Sequence, residues 1–385
     1  MSATTEPGAA TEPAASPPFT QKREFWVLIA YALALGVIGA FAGLVFLGVI
    51  KFGGKWYSDS DPRWFGGHWW WIAVTAAAGI VVGLLRRLMR LPEDLPGLIA
   101  DLQEEHVNPR LVPGTVLVSA VSLLGGASLG PEKALSYIGG GAGGWLSERR
   151  GLSKDDTRLN TLSGFAGAFG GLFSSTVIVV MLILEIARPG GQRLTKALLG
   201  TIVASSVSFG IYFGIVGSVF LDAYQVPKYK FEDWQLLAGI PLGLFAAVLV
   251  TLLVVFFKLA AVLFGRLKLP AVAKPALGGL LFGLVGVALP LTLFTGSDQL
   301  KTVLKDAGTL GVGLLIVVVI AKLLTFAVSQ ESGFVGGPIF PALFIGGTAG
   351  SSSIRSSRVC RWDWRSPACS PPSPAASSRH RSRWC

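Results

Sequence analysis

GGASLGPEKALSYIGGG, residues Gly125 to Gly141, is the stretch on which the reading of this chain turns. Between Leu111 and Ser147 the only charged side chains are Glu132 and Lys133, set among glycines and apolar residues. An ionisable side chain at membrane depth costs on the order of several kcal/mol, so one found there is a functional residue by default. Gly130 lets the chain turn and Pro131 suits a first helical position, so a helix is expected to start here. Glu132 then falls in the first turn, where unpaired N–H groups and the positive end of the helix dipole hold an anion. Ionised Glu132 would fill that place as a tethered anion, and protonated Glu132 would leave it open. That is a gate, and alternating access to protons from the two sides would make it a coupled exchanger. The plainer alternative is a capping glutamate near the interface, paired with Lys133.

The surroundings favour a bilayer as solvent. Of the 385 residues 51% are apolar and 14% charged, where ordinary globular proteins carry roughly 25% charge. The 49 glycines and the 34 Trp and Phe residues fit membrane helices and their interfacial belts. Collagen-like and disordered chains are excluded by this much Leu, Val, Ile and Phe. The net charge of +11 does not point to nucleic acid, because seven Arg and one Asp within residues 351–385 account for +6 of it. The rest is a cytoplasmic positive bias.

Along the chain, residues 1–22 are rich in Ala, Thr, Pro and Glu and read as a disordered cytoplasmic leader. Phe25 to Ile50 carries no charge and predicts a first transmembrane helix starting in the cytoplasm at Lys22 and Arg23. Trp69 to Leu85 opens with three Trp and closes on Arg86, Arg87 and Arg90, so it returns to that side. Further charge-free windows run at 111–131, 159–184, 197–221, 235–257, 276–297, 307–321 and 332–354. Gly and Pro interrupt them at Pro96-Gly97, Gly125-Gly126, Gly130-Pro131, Gly139 to Gly141, Gly170-Gly171, Gly333 and Gly336-Gly337-Pro338. Broken helices in a membrane line a polar cavity or a solute site, whereas single glycines also serve close helix packing. The predicted membrane domain is residues 23–350.

Residues 351–385 are a different chemistry, with eleven Ser, no hydrophobic run and all three cysteines, Cys360, Cys369 and Cys385. The composition fits out-of-frame translation of a GC-rich gene better than a regulatory domain. No disulfide framework, metal site or cofactor is expected. An enzyme is not expected either: the body offers His68 and His106 but no Cys, and Ser163-Gly164 lacks the lead-in glycine of a nucleophile elbow.

Gly130-Pro131-Glu132-Lys133-Ala134 followed by Ile138-Gly139-Gly140 resembles the gating element of the chloride channel and anion/proton antiporter (CLC) family, G-[KR]-E-G-P with a following I-G-G. Here the proline stands on the other side of the glutamate. Ser332-Gly333 and then Gly336-Gly337-Pro338-Ile339-Phe340-Pro341 is similar to a second family element, and Glu185-Ile186-Ala187-Arg188-Pro189 to a third. All three come in order, and the resemblance covers roughly residues 24 to 350. It implies an all-α polytopic membrane protein of tilted, broken helices forming an inverted repeat, the second half incomplete by two or three helices. It also implies a homodimer in the cell membrane, one anion path per subunit, with chloride as the transported ion, protons as a coupled ion, and no nucleic acid. Gly130, Pro131, Lys133, Gly337, Ile339 and Phe340 would then surround the anion, and Glu132 would gate it. Backbone amides suit this work, holding an anion without a full countercharge so that it can also leave.

The departures from the family pattern carry expectations too. Pro92-Glu93-Asp94-Leu95-Pro96 stands where the family has a serine-bearing G-S-G-I-P element, and two carboxylates there would repel chloride or displace the loop. Pro338 brings no N–H. Ile186 stands where antiporters usually have an internal proton-carrying glutamate, leaving Glu185 as a substitute or, paired with Arg188, as a structural residue. The alternatives are an inverted-repeat carrier of another solute and an inactive truncated product.

Overall fold

A computed structural model of the chain describes residues 23–59, 69–217, 234–267, 269–305 and 310–359. These form thirteen α-helices. In the first half they are α1 (Arg23–Asp59), α2 (Trp70–Leu88), α3 (Leu98–Glu104), α4 (Val112–Leu124), α5 (Glu132–Arg149), α6 (Lys154–Phe173) and α7 (Thr176–Ala187). There follow α8 (Gln192–Val216), α9 (Trp234–Arg266), α10 (Ala273–Ala288), α11 (Ser297–Lys305), α12 (Val312–Glu331) and α13 (Ile339–Val359). Among the described residues no strand occurs, and the sole β-type pairing is an isolated bridge between Gly130 and Gly337.

Five helices, α1, α2, α8, α9 and α12, are long and apolar enough to cross a bilayer. At 1.5 Å per residue, the shorter apolar helices α4, α7, α10 and α13 fall short of the roughly 30 Å hydrocarbon core or barely reach it. Helices this short are what the Gly and Pro interruptions lead one to expect of a broken membrane architecture. The chain is a multi-pass integral membrane protein. Helix α9 packs on the core through Leu253, Phe257 and Phe264, but most of its apolar side chains are exposed and have lipid or other apolar matter as solvent.

Not every glycine run breaks a helix. Gly139 to Gly141 lie inside α5 and Gly170-Gly171 inside α6, contrary to the expectation of interruptions there. The reason is close packing. A Cβ on Gly139 would run into the backbone of Gly164, one on Gly143 into Asn160, and one on Gly170 into Ser205 of α8. These glycines let α5, α6 and α8 approach backbone to backbone. The window at 159–184 breaks instead after Phe173, where Ser174 turns left-handed and the Ser175 hydroxyl caps Ile178 N–H at 3.4 Å. Helices α2 and α10 pack antiparallel by the same device, with Gly83 against Val272, Gly79 against Pro275, and Gly279 against Thr75.

Lys196 of α8 pairs with Glu24 of α1 at 3.5 Å, and Arg193 pairs with Glu105 and, at 3.8 Å, with Asp155. These pairs gather the starts of α1, α6 and α8 and the end of α3 on one face, with Arg149, Arg150 and Lys154 nearby in sequence. By the positive-inside rule that face is expected to be cytoplasmic, with α2 expected to return to it. Arg87 is exposed at the end of α2. With the three tail cysteines replaced by serine, Arg87→Cys should react with an impermeant maleimide after cells are opened. Labelling from outside intact cells would overturn the orientation.

Helix α13 continues to Val359, past the expected domain boundary at residue 350. Ser, Ile, Arg and Val include no helix breaker, so nothing local stops it there. The leader at 1–22 and residues 360–385 of the tail lie outside the described residues.

Candidate functional site

Helix α4 ends at Gly125, and Gly126 (φ +84°) turns the chain into the segment 126–131. On the other side, α12 ends at Glu331, and Gly333 (φ +100°) turns the chain into 333–338. The two segments are joined by polar contacts. Ser329 Oγ accepts from Ser128 N–H at 3.2 Å, and Ser122 Oγ accepts from Val335 N–H at 3.1 Å. Gly130 N–H donates to Gly337 O at 2.8 Å, and Gly337 N–H donates back to Gly130 O at 2.7 Å. Two helix starts, those of α5 and α13, are thereby fixed side by side. Beside them a line of rings, Phe165, Phe169, Phe173 and Phe340, packs at centroid spacings of 6.5, 5.6 and 6.4 Å.

Glu132 is fully buried between these starts. Its carboxylate lies by the amide of its own first turn, where it is expected, and also reaches the other helix: Oε1 accepts the Phe340 N–H at 2.8 Å, in the first turn of α13. Oε2 has no hydrogen-bond partner among the described residues. The carboxylate thus occupies the anion-holding end of a helix 208 residues away in sequence. A Cβ on Gly130 or on Gly337 would overlap this carboxylate, so both positions require glycine for its presence.

The other expected anion contacts divide. The amides of Gly130 and Gly337 are taken by each other's carbonyls, so neither N–H is open to an anion, which corrects that expectation. Pro131 caps α5 and Pro338 precedes α13, and neither has an N–H to give. Ile339 and Phe340 carry the amides that face the carboxylate's position. Lys133 does not pair with Glu132. Its ammonium is bonded to the carboxylate of Asp101 on α3 and to Pro96 O, and lies 4.2 Å from the Tyr137 ring centroid.

The Pro92 to Pro96 loop is neither free nor empty of cations. Arg86 donates to the carbonyls of Pro92, Glu93 and Gly333, each at 2.7 Å, tying the loop to the segment before α13. The exposed side chains of Glu93 and Asp94 line a cavity of about 660 Å³ together with Arg86, Arg87, Lys133 and Lys274. The repulsion expected of the two carboxylates is thus met by nearby positive charge. The cavity runs to Pro338, next to the Ile339 and Phe340 amides.

At the end of α7, Glu185 is exposed, and Arg188 Nε donates to the Glu185 main-chain oxygen at 3.2 Å. The expected Glu185–Arg188 pairing therefore runs through the backbone and not through the carboxylate. Ile186 packs against the apolar core.

Three buried charges carry no expectation from sequence: Asp101, Glu105 and Lys322. Asp101 sits in a polar stretch that resembled a loop. Lys322 closed the charge-free window at 307–321 and so passed for the end of a helix, yet α12 continues nine residues beyond it to Glu331. The signal for Lys322 was present, since a lysine inside an apolar helix of spanning length is a functional or structural anchor by default.

The family model described as voltage gated chloride channel matches residues 93–355. The proteins named ion-transport protein YfeO in Salmonella newport (strain SL254) and Salmonella agona (strain SL483) are each 29% identical over 291 residues, covering 73% of this chain and 68% of theirs. Among solved structures, a slow cyanobacterial Cl⁻/H⁺ antiporter superposes with a TM-score of 0.72 at 20% identity, over 86% of this chain and 80% of its own. A CLC-type fluoride/proton antiporter gives a TM-score of 0.67 at 18% identity, over 86% and 82%.

Proposed function

The chain belongs to the voltage-gated chloride channel family, and from that premise we propose that it carries chloride, or a similar small anion, along a path gated by Glu132. Transport of a small anion across a bilayer is the activity of the fold and family. The observation that carries the gate is the Phe340 N–H donated to the Glu132 carboxylate at 2.8 Å. An amide at a helix start that holds a carboxylate can hold a halide when the carboxylate leaves. Ile339 and Phe340 are the amide ligands of that proposal, and Gly130 and Gly337 make room for whichever anion is present. The working unit is a homodimer in the cell membrane with one path per subunit.

Channel-like flow is favoured over tight proton exchange by Ile186, because an isoleucine cannot carry a proton. Glu185, exposed at the end of α7, is the remaining acid of that segment. Liposomes holding the purified chain and loaded with chloride should release it down its gradient with little change in internal pH. A fixed, sizeable proton counterflow that persists in Glu185→Gln would refute weak coupling. Absence of any halide release from liposomes containing correctly inserted protein would refute the transport proposal itself.

A further inference from the structure

Lys133 and Asp101 form an ion pair whose side chains are each 4% exposed. The pair bridges the start of α5 to α3, and Pro96 O and the Tyr137 ring complete the surroundings of the ammonium. Lys133 nevertheless lines the 660 Å³ cavity that ends at Pro338, beside the amides that face Glu132. An anion arriving from the cytoplasmic side meets this ammonium before it meets the gate. The ammonium already has one anionic partner, Asp101, and a halide competes with that partner for the same positive charge.

We propose that Lys133 is an inner halide-binding residue controlled by Asp101: the ionised carboxylate holds the ammonium, and the protonated one releases it to a halide in the cavity. This rests on the reading that an anion passes Glu132, and adds to it a second, independent control. The charged and titratable groups facing Asp101 are few. Helix α5 presents Lys133 and Tyr137, α3 itself presents Glu104, and His106 follows in the next turn. Helix α7, also packed on α3, has Glu185 as its one titratable side chain, and that side chain is exposed. Glu105 is engaged by Arg193. Among the described residues Lys133 is thus the one cation bonded to Asp101, and Glu93, Asp94 and Glu331 are the acids that share the cavity wall with Lys133.

Linkage sets the sign. A proton on Asp101 raises halide affinity at Lys133, and by reciprocity a halide on Lys133 raises the proton affinity of Asp101. Affinity therefore rises as pH falls through the titration of Asp101. On this proposal the proton enters and leaves on one side of Glu132, so the control by pH needs no net proton transport.

The test is calorimetric titration of chloride into the purified chain in detergent, from about pH 3 to about pH 8, a range that spans ordinary carboxylate titration. Glu132→Gln serves as the parent, so that the gate does not titrate. The parent should bind chloride on the order of tenfold more tightly at the acid end. Asp101→Asn should show the tight binding at every pH. The Lys133→Met, Asp101→Asn double variant removes both charges together, leaves no unpaired buried ion, and should keep only pH-independent binding at the Phe340 amide. The proposal is overturned if Asp101→Asn retains the parent's pH dependence, or if the double variant binds as the parent does. If Glu132→Gln and the unaltered chain bind alike while Asp101→Asn still flattens the profile, the gate reading fails and the inner site stands.

Discussion

Glu132→Gln should raise chloride flux by about tenfold and flatten its pH dependence. The unaltered carboxylate is a tethered competitor at the α13 start, held by the Phe340 N–H at 2.8 Å. A helix N-terminus contributes about 0.3–2 kcal/mol to an anion, and a hydrogen bond to a charged group about 1.5–3 kcal/mol. Glutamine keeps the volume and an acceptor oxygen, so part of the hydrogen bond survives and the charge term is lost. A net change of about 1.4 kcal/mol is a tenfold shift in occupancy. The sign of the pH effect follows from which form blocks. Ionised Glu132 closes the site, so flux through the unaltered chain rises as pH falls through its titration, and the Gln variant has nothing to titrate there. Reconstituted flux measured across pH decides the matter. Unchanged flux and unchanged pH dependence in Glu132→Gln would reduce Glu132 to a cap on α13.

How far this site was legible from the residues depends on the range of each contact. Gly130-Pro131-Glu132 announced a helix start and a buried carboxylate, because both are local consequences of φ freedom, a missing N–H and charge in an apolar window. That the carboxylate serves α13 was not legible. Its acceptor role is set by a partner 208 residues away, brought near by the Gly130–Gly337 bridge. The glycine runs in α5 and α6 look in sequence like the runs that break helices, and only the neighbouring backbone separates the two uses. Gly139 has Gly164 against it, whereas Gly333 (φ +100°) is where the chain turns. Glu93 and Asp94 read as a threat to an anion path because sequence shows their charge. It does not show Arg86 gripping the main-chain carbonyls of their loop. Asp101 and Lys133 stand 32 residues apart, and nothing in their local patterns pairs them.

Lys322→Met should destabilise the protein by about 2–4 kcal/mol, the largest loss expected from any single side chain in the second half. Lys322 is fully buried in the middle of α12, and no carboxylate among the described residues pairs with it. Its ammonium donates to Phe294 O at 2.8 Å, Thr292 O at 3.0 Å and Leu293 O at 3.4 Å, and lies 5.1 Å from the Phe344 ring centroid. These carbonyls lie at and just after the 3-10 turn Pro290–Thr292, beyond the end of α10. The ammonium satisfies them from another helix, α12. Each buried acceptor left without a donor costs about 1–3 kcal/mol, and methionine has no donor to offer. Relief from burying an ammonium offsets part of that sum, which is why the expected net is below the total for three carbonyls. The loss should also reach the gate. Phe294, held at φ +59°, donates its N–H to Gly126 O at 3.0 Å, so the loop that Lys322 secures also braces the segment leading to Gly130. Thermal unfolding in detergent should drop by at least about 4 °C on the scaling for large domains. Chloride flux should become variable or fall even at temperatures where the variant stays folded. A Met variant with unaltered melting and unaltered flux would show that the loop holds its shape without the ammonium, and would remove Lys322 from any account of the gate.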